Sequence, residues 1–186
     1  MKIILVRHGQ TEYNYQKIMQ GHSNTELNDT GIRQCQKLRE QLADVDFDYC
    51  YMSPILRAVQ TAFILVGDRV ETIPDKRLIE RDMGEFTGKS TELYDREKYW
   101  DYDLNCSDNG VEAIQDVFSR CCDFLNYIVK KHPGEHILVV SHAATIRALH
   151  HLLHHHNLHS DLLRKVVCNC YVEEVEVKEG TVYESL

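Results

Sequence analysis

The chain has 186 residues, 43% hydrophobic and 27% charged, the proportions of a soluble globular protein large enough for one substantial core. Its formal charge of −8, from 21 Lys and Arg against 29 Asp and Glu, repels polyanions, so nucleic acid is excluded as an expected partner and a bound phosphate needs a local cluster of cations. No apolar run reaches bilayer length, residues 3–6 are too few for the core of a secretory signal, and seven cysteines without framework or Cys-x-x-Cys spacing read as reduced, mostly buried thiols. The expectation is one cytoplasmic domain spanning residues 1–186, with no membrane attachment and an oligomeric state left open.

The first segment, Ile3, Ile4, Leu5 and Val6, is a β-branched apolar run ended by Gly9, which reads as a fully buried strand. Arg7 and His8 stand at its carboxyl end, where open α/β sheets bind ligands. Taken alone, such a histidine does no more than satisfy its hydrogen bonds. Residues 31–44 carry Ile32, Cys35, Leu38 and Leu42 at helical spacing, behind the capping oxygens of Asn28, Asp29 and Thr30. A second strand over residues 48–53 ends at Ser53, and Pro54 suits the first position of a helix over 54–66 that holds Arg57 in its first turn.

Residues 70–73 read as a short strand and 78–88 as an irregular loop containing Glu80. Residues 94–109 are polar and aromatic, an insertion suited to a lid. A long helix is expected over 110–131, stopped by Pro133-Gly134, then a buried strand over 136–141, a helix over 144–155 and a last strand over 167–177. Strands alternating with helices predict an α/β class fold, a mostly parallel sheet covered on both faces.

In such a sheet the strand ends share one edge. That edge would collect Arg7, His8, Ser53, Arg57, Glu80, Ser141 and His142. Each residue alone has a plain reading: Arg57 as a solvated helix residue, Glu80 as a surface charge, His142 as part of a helix start. Their convergence is chemically coherent. Two guanidiniums grip a phosphoryl group in bidentate fashion, a neutral imidazole attacks phosphorus, a second imidazole donates to the same oxygens, and a carboxyl protonates the leaving oxygen. No metal or other cofactor is required by this set.

The stretches Arg7-His8-Gly9-Gln10-Thr11-Glu12-Tyr13-Asn14, Ser53-Pro54-Ile55-Leu56-Arg57-Ala58, Glu80 with Gly84, and Ser141-His142-Ala143-Ala144-Thr145-Ile146-Arg147 resemble the histidine phosphatase superfamily, in its phosphoglycerate-mutase-like branch. The resemblance implies a three-layer α/β/α sandwich and a phosphohistidine intermediate on His8. It implies phosphate contacts from Arg7, Arg57 and His142 with Asn14 assisting, and Glu80 as proton donor and then base. The backbone amide of Ala143 would bind phosphate where the family often has glycine. Specificity would lie in residues 94–109 and in the Gln20-Gly21-His22-Ser23 loop. Met83 stands where the family often has an aromatic residue.

The partner implied is a small phosphorylated metabolite. Three activities fit the motifs: a phosphatase, a phosphoglycerate mutase, and a silent phosphate-binding module. The short acidic segment after Glu80 and the intact set of reactive residues favour the phosphatase, although Glu80-Arg81 matches the mutase pattern. Residues 84–90 resemble a P-loop but lack its spacing and its preceding strand. The histidines at 150, 151, 154, 155, 156 and 159 have metal-ligand spacing, with a solvated helix end as the simpler reading.

Overall fold

The computed structural model describes residues 1–184. Its strands are β1 (Lys2–Arg7), β2 (Tyr49–Met52), β3 (Glu71–Pro74), β4 (His136–Ser141) and β5 (Val172–Glu176), joined in one sheet in the order β3-β2-β4-β1-β5. The first four are parallel, and β5 closes the β1 edge in the antiparallel sense. The helices are α1 (Glu12–Tyr15), α2 (Asp29–Gln41), α3 (Leu56–Val66), α4 (Arg96–Trp100), α5 (Ile114–Lys131) and α6 (Ala143–Leu153).

Alternation along the central strands explains why they read as unbroken apolar runs. Ile3 and Leu5 join Ile137, Val139 and Tyr51 on the face covered by α5 and α6, where Phe118, Phe124 and Leu149 pack. Ile4 and Val6 join Leu138, Val140, Cys50 and Met52 on the opposite face, under Leu38 of α2 and Ala58, Ala62 and Leu65 of α3. The result is the three-layer α/β/α arrangement expected, with both faces of β1 and β4 desolvated.

Several boundaries differ from expectation. Helix α2 starts at Asp29, because the Asn28 side-chain oxygen accepts from the Gly31 amide at 2.9 Å, and it stops at Gln41 instead of 44. Helix α3 starts at Leu56 with Ile55 as its cap, so Pro54 precedes the helix instead of opening it. Left-handed backbone at Asn109 and Gly110, with φ of 58° and 72°, delays α5 to Ile114.

The last strand is shortened the most, to Val172–Glu176, because Cys170 takes a φ of 52° that no strand continues through. Residues 167–171 instead fold against the end of β1. The Cys170 amide donates to the His8 carbonyl at 3.3 Å, the Arg7 amide to the Tyr171 carbonyl at 3.0 Å, and the Asn169 side chain to the His8 carbonyl at 3.2 Å.

Among residues 94–109, Tyr94, Tyr99, Trp100 and Tyr102 are buried in the main core, and Tyr94 stacks on Tyr99 with centroids 4.8 Å apart. All seven cysteines are free thiols and five are buried, with Cys35 and Cys170 sulfurs 3.6 Å apart.

The turn after β1 is pressed onto the first turn of α2 so closely that a Cβ at Gly31 would lie 2.1 Å from the Gln10 carbonyl oxygen. Backbone, not a flexible side chain, blocks that position. Gly31→Ala is therefore expected to cost about 1–3 kcal/mol, at about 2–4 °C of Tm per kcal/mol, measured by thermal and urea denaturation.

Candidate active site

His8 follows β1 and is 1% exposed. Its Nδ1 lies 2.7 Å from the Gly9 carbonyl oxygen, which only accepts, so Nδ1 carries the proton and Nε2 keeps a lone pair. The Arg57 Nε–H points at that lone pair from 3.3 Å and at Nδ1 of His142 from 3.2 Å. One donor thus faces two acceptors, which assigns the His142 proton to Nε2, where it donates to the Ser53 hydroxyl at 2.7 Å. The two imidazole centroids are 5.1 Å apart.

Burial, reinforced by Arg7 and Arg57, pushes the His8 imidazole well below its ordinary value of 6.5. Burial and then Arg57 do the same to His142. Both rings are therefore neutral near pH 7. Arg57 is itself lowered to about 10 by burial, with Glu80 opposing the shift and Arg7 adding to it.

The bidentate grip expected from both arginines is not what Arg57 presents. Its Nη1 donates to the Ser23 carbonyl at 2.6 Å and its Nη2 to the Gly21 carbonyl at 2.9 Å, so the fork holds the 20–25 loop and only Nε faces the histidines. Arg7 donates through Nη1 to the Val167 carbonyl at 2.6 Å, while its Nε is buried with no hydrogen-bond partner among the described residues. A donor held ready without an acceptor suits an arriving anion.

His142 likewise offers no proton toward His8 while it is neutral.

Glu80 follows β3 in the loop before α4, and its Oε1 accepts from the amides of Arg81 at 2.9 Å and Ala144 at 3.1 Å. Asn14 accepts through Oδ1 from Thr11 and from Asn169, at 3.1 Å for the latter, which leaves its amide nitrogen as the group it can offer a ligand. The Gln20 side-chain oxygen, Oε1, accepts from the hydroxyls of Thr11 at 2.9 Å and Thr25 at 2.6 Å.

Of the residues singled out in the sequence, Arg7, His8, Asn14, Gln20, Gly21, Glu80 and Ala143 line one cavity of about 710 Å³. Arg57 and His142 are fully buried directly behind it.

Sequence reasoning placed specificity in residues 94–109, of which Arg96 and Trp100 line this cavity, but it named neither for that role and assigned none to Arg147, Val166 and Val167, which line it too. The Arg147 guanidinium lies 4.6 Å over the Trp100 ring and its Nε donates to the Lys165 carbonyl at 3.0 Å. A signal was available: Arg147 lies on the same helix as Ala143, one turn beyond it, and Arg96 is a cation in an acidic stretch. Arg81 points elsewhere. It donates to the carbonyls of Glu112 and Tyr99, each at 2.7 Å, and so carries the aromatic wall rather than the cavity.

Chemically, a lone pair on Nε2 among fixed cations can attack an electrophilic phosphorus while charge on its oxygens is stabilised, and the nearby carboxyl can exchange a proton with a leaving oxygen. Residues 3–184 match the family model described as histidine phosphatase superfamily (branch 1). The chain belongs to the histidine phosphatase superfamily.

Phosphoglycerate mutase-like protein 4 of Arabidopsis thaliana is 34% identical over 159 residues, covering 80% of this chain and 69% of that protein. Phosphoserine phosphatase 1 of Hydrogenobacter thermophilus is 32% identical over 158 residues, covering 81% and 74%. A 2,3-bisphosphoglycerate-dependent phosphoglycerate mutase of Rhizobium etli is also 32% identical, over 79% of this chain and 77% of its own. Among solved structures, phosphoserine phosphatase from Entamoeba histolytica in complex with 3-phosphoglyceric acid superposes with a TM-score of 0.77 at 26% identity, over 93% of this chain and 89% of that one. The chain is thus a histidine phosphatase superfamily member of the phosphoglycerate-mutase-like branch. Among the described residues no helix is long and apolar enough to cross a membrane.

The buried neutral imidazoles make stability depend on pH in a definite direction. Above pH 6.5 neither folded nor unfolded chain protonates them, whereas below it the unfolded chain takes up protons that the folded one refuses. Stability should fall as pH drops through 6.5, by up to about 1.4 kcal/mol per pH unit for each ring. Urea denaturation between pH 7.5 and 5.5 checks this, with His8→Gln expected to make the slope shallower.

Proposed function

We propose that this chain is a phosphomonoesterase acting through a phosphohistidine on His8. The observation that carries this reading is the shared Arg57 Nε–H between the His8 lone pair and His142, beside the unpartnered Nε of Arg7. A phosphoryl group entering there would meet the nucleophile and the donors together. Nε2 of His8 attacks phosphorus, the bond to the leaving oxygen breaks, and Glu80 supplies that oxygen's proton. Glu80 then takes a proton from water as it attacks the phosphorus and displaces Nε2, releasing phosphate. A dianion also favours protonation of a neighbouring imidazole, so His142 gains a proton at Nδ1 on substrate binding and becomes the donor it is not in the free site.

The substrate class we infer is a small phosphate ester that also bears a carboxylate. Support comes from relatives named as phosphoserine phosphatases and from Arg96 and Arg147, two further cations lining the cavity that His8 lines. A mutase is the second reading, favoured by the Rhizobium etli relative. Arg81, the residue that matched the mutase pattern, is engaged in holding the aromatic wall, which removes that support.

Incubation with phosphoserine, 3-phosphoglycerate and p-nitrophenyl phosphate is expected to release inorganic phosphate, and His8→Ala to lower the rate by about 10⁴-fold or more. Conversion of 3-phosphoglycerate to its 2-isomer without phosphate release would instead establish the mutase, and undiminished hydrolysis by His8→Ala would overturn both. Glu80→Gln should cost about 10²–10⁴-fold on phosphoserine, whose alkoxide needs a proton, and much less on p-nitrophenyl phosphate, whose phenolate leaves unaided. Arg96→Ala should raise KM for phosphoserine while leaving p-nitrophenyl phosphate unaffected.

A further inference from the structure

The histidines near the end of α6 are not a uniform solvated run. His155 turns out to stack on Tyr183, with centroids 5.6 Å apart, and His159 pairs with Asp103 at 2.6 Å. His150 and His154, one helical turn apart, converge instead on a single carboxylate across the chain, Glu173 of β5. The His150 Nδ1 lies 2.8 Å from Glu173 Oε1 and the His154 Nε2 lies 2.9 Å from the same oxygen. The three donor atoms fall within 4.8 Å of one another.

We propose that His150, His154 and Glu173 form a site for a divalent zinc-like ion that ties the end of α6 to the edge strand β5. Two imidazoles and one carboxylate are the donor set of borderline transition ions, and they disfavour magnesium and calcium, which take oxygen ligands. The protons now bridging each imidazole to Glu173 occupy the place the ion would take. His156 stands next to the set, its ring 5.2 Å from that of His150 and 5.5 Å from that of His154, but its Nδ1 faces His151 Nδ1 at 3.2 Å, so water would complete a tetrahedron.

An ion bound there replaces the bridging protons, each imidazole then carrying its own proton on the ring nitrogen that faces away from Glu173. The Lys165 ammonium, 3.7 Å from Glu173 Oε1, opposes a cation there.

Helix α6 begins at Ala143, beside the catalytic candidates, and β5 continues the segment that braces Arg7 and His8. The ion would therefore clamp the far end of α6 to the start of β5, opposite Leu5, and its effect is stabilisation.

The test uses untagged full-length protein stripped with a chelator and titrated with zinc chloride by calorimetry, with thermal melts alongside. One zinc per chain at micromolar or tighter affinity and a raised Tm are expected. His154→Ala and Glu173→Gln should each weaken binding by at least about tenfold, the scale seen even when groups behind the ligands are lost. The double variant H155A/H159A should bind as wild type, and Lys165→Met should bind more tightly. Absence of micromolar binding, or equal loss in H155A/H159A and His154→Ala, would overturn the proposal. Should the ligand variants fail to fold, cobalt(II) added to wild type must give the visible spectrum of a tetrahedral nitrogen and oxygen site, and its absence overturns the proposal equally.

Discussion

Positive charge is held inside this protein with too little negative charge to balance it. Arg57 is fully buried, Arg7 is largely so, two imidazoles lie between and beside them, and Glu80 is the carboxylate near enough to matter. Each guanidinium is lowered by burial, and each imidazole is kept neutral by the same desolvation. Burying unbalanced charge is costly, and the chain meets that cost by supplying backbone carbonyls as acceptors. The Gly21, Ser23 and Val167 oxygens serve the two arginines, and the loops that carry them are shaped by that duty. A phosphate dianion is the natural counter-charge for what remains, even though the whole chain is acidic.

The same constraint explains how much of the site was legible in the sequence. The strand ends could be read because β1 and β4 are apolar on both faces and stop abruptly at polar residues, which put Arg7, His8, Ser141 and His142 on one edge. The capping oxygen at Asn28 was equally readable, whereas the burial of Tyr94, Tyr99 and Trp100 in the core shows only in the fold. Residues 167–171 were not: Val167, Cys168, Cys170 and Val172 have the composition of a strand, and only the left-handed turn at Cys170 and the carbonyl needed by Arg7 show otherwise. Nor does a residue type reveal which of its atoms is free. Arg57 as a letter promises a fork, whereas in the fold its fork is spent on a loop. His142 as a letter promises a donor, whereas the network gives its proton to Ser53.

It follows that Arg57 serves two ends, loop geometry and electrostatics. Rate losses on replacing it combine both, whereas Arg7 is braced by a single carbonyl and reports more directly on the anion. Thr61 plays a comparable hidden part, its hydroxyl accepting from the Gly9 amide at 3.1 Å while donating to the Arg57 carbonyl at 2.8 Å, so that the turn after β1 and the start of α3 are joined through one side chain.

The antiparallel strand β5 also has a consequence for how copies of this chain meet in a crowded cell. Exposed strand edges invite addition of further strands, and fibrous assembly follows when nothing prevents it. Here the outermost strand on one side carries Glu173, Glu174 and Glu176, with Lys2 of the neighbouring strand 3.2 Å from Glu174. On the other side β3 ends in Pro74, which has no amide proton to give. A second sheet approaching either border meets like charge or a missing donor. The sheet is finite by composition.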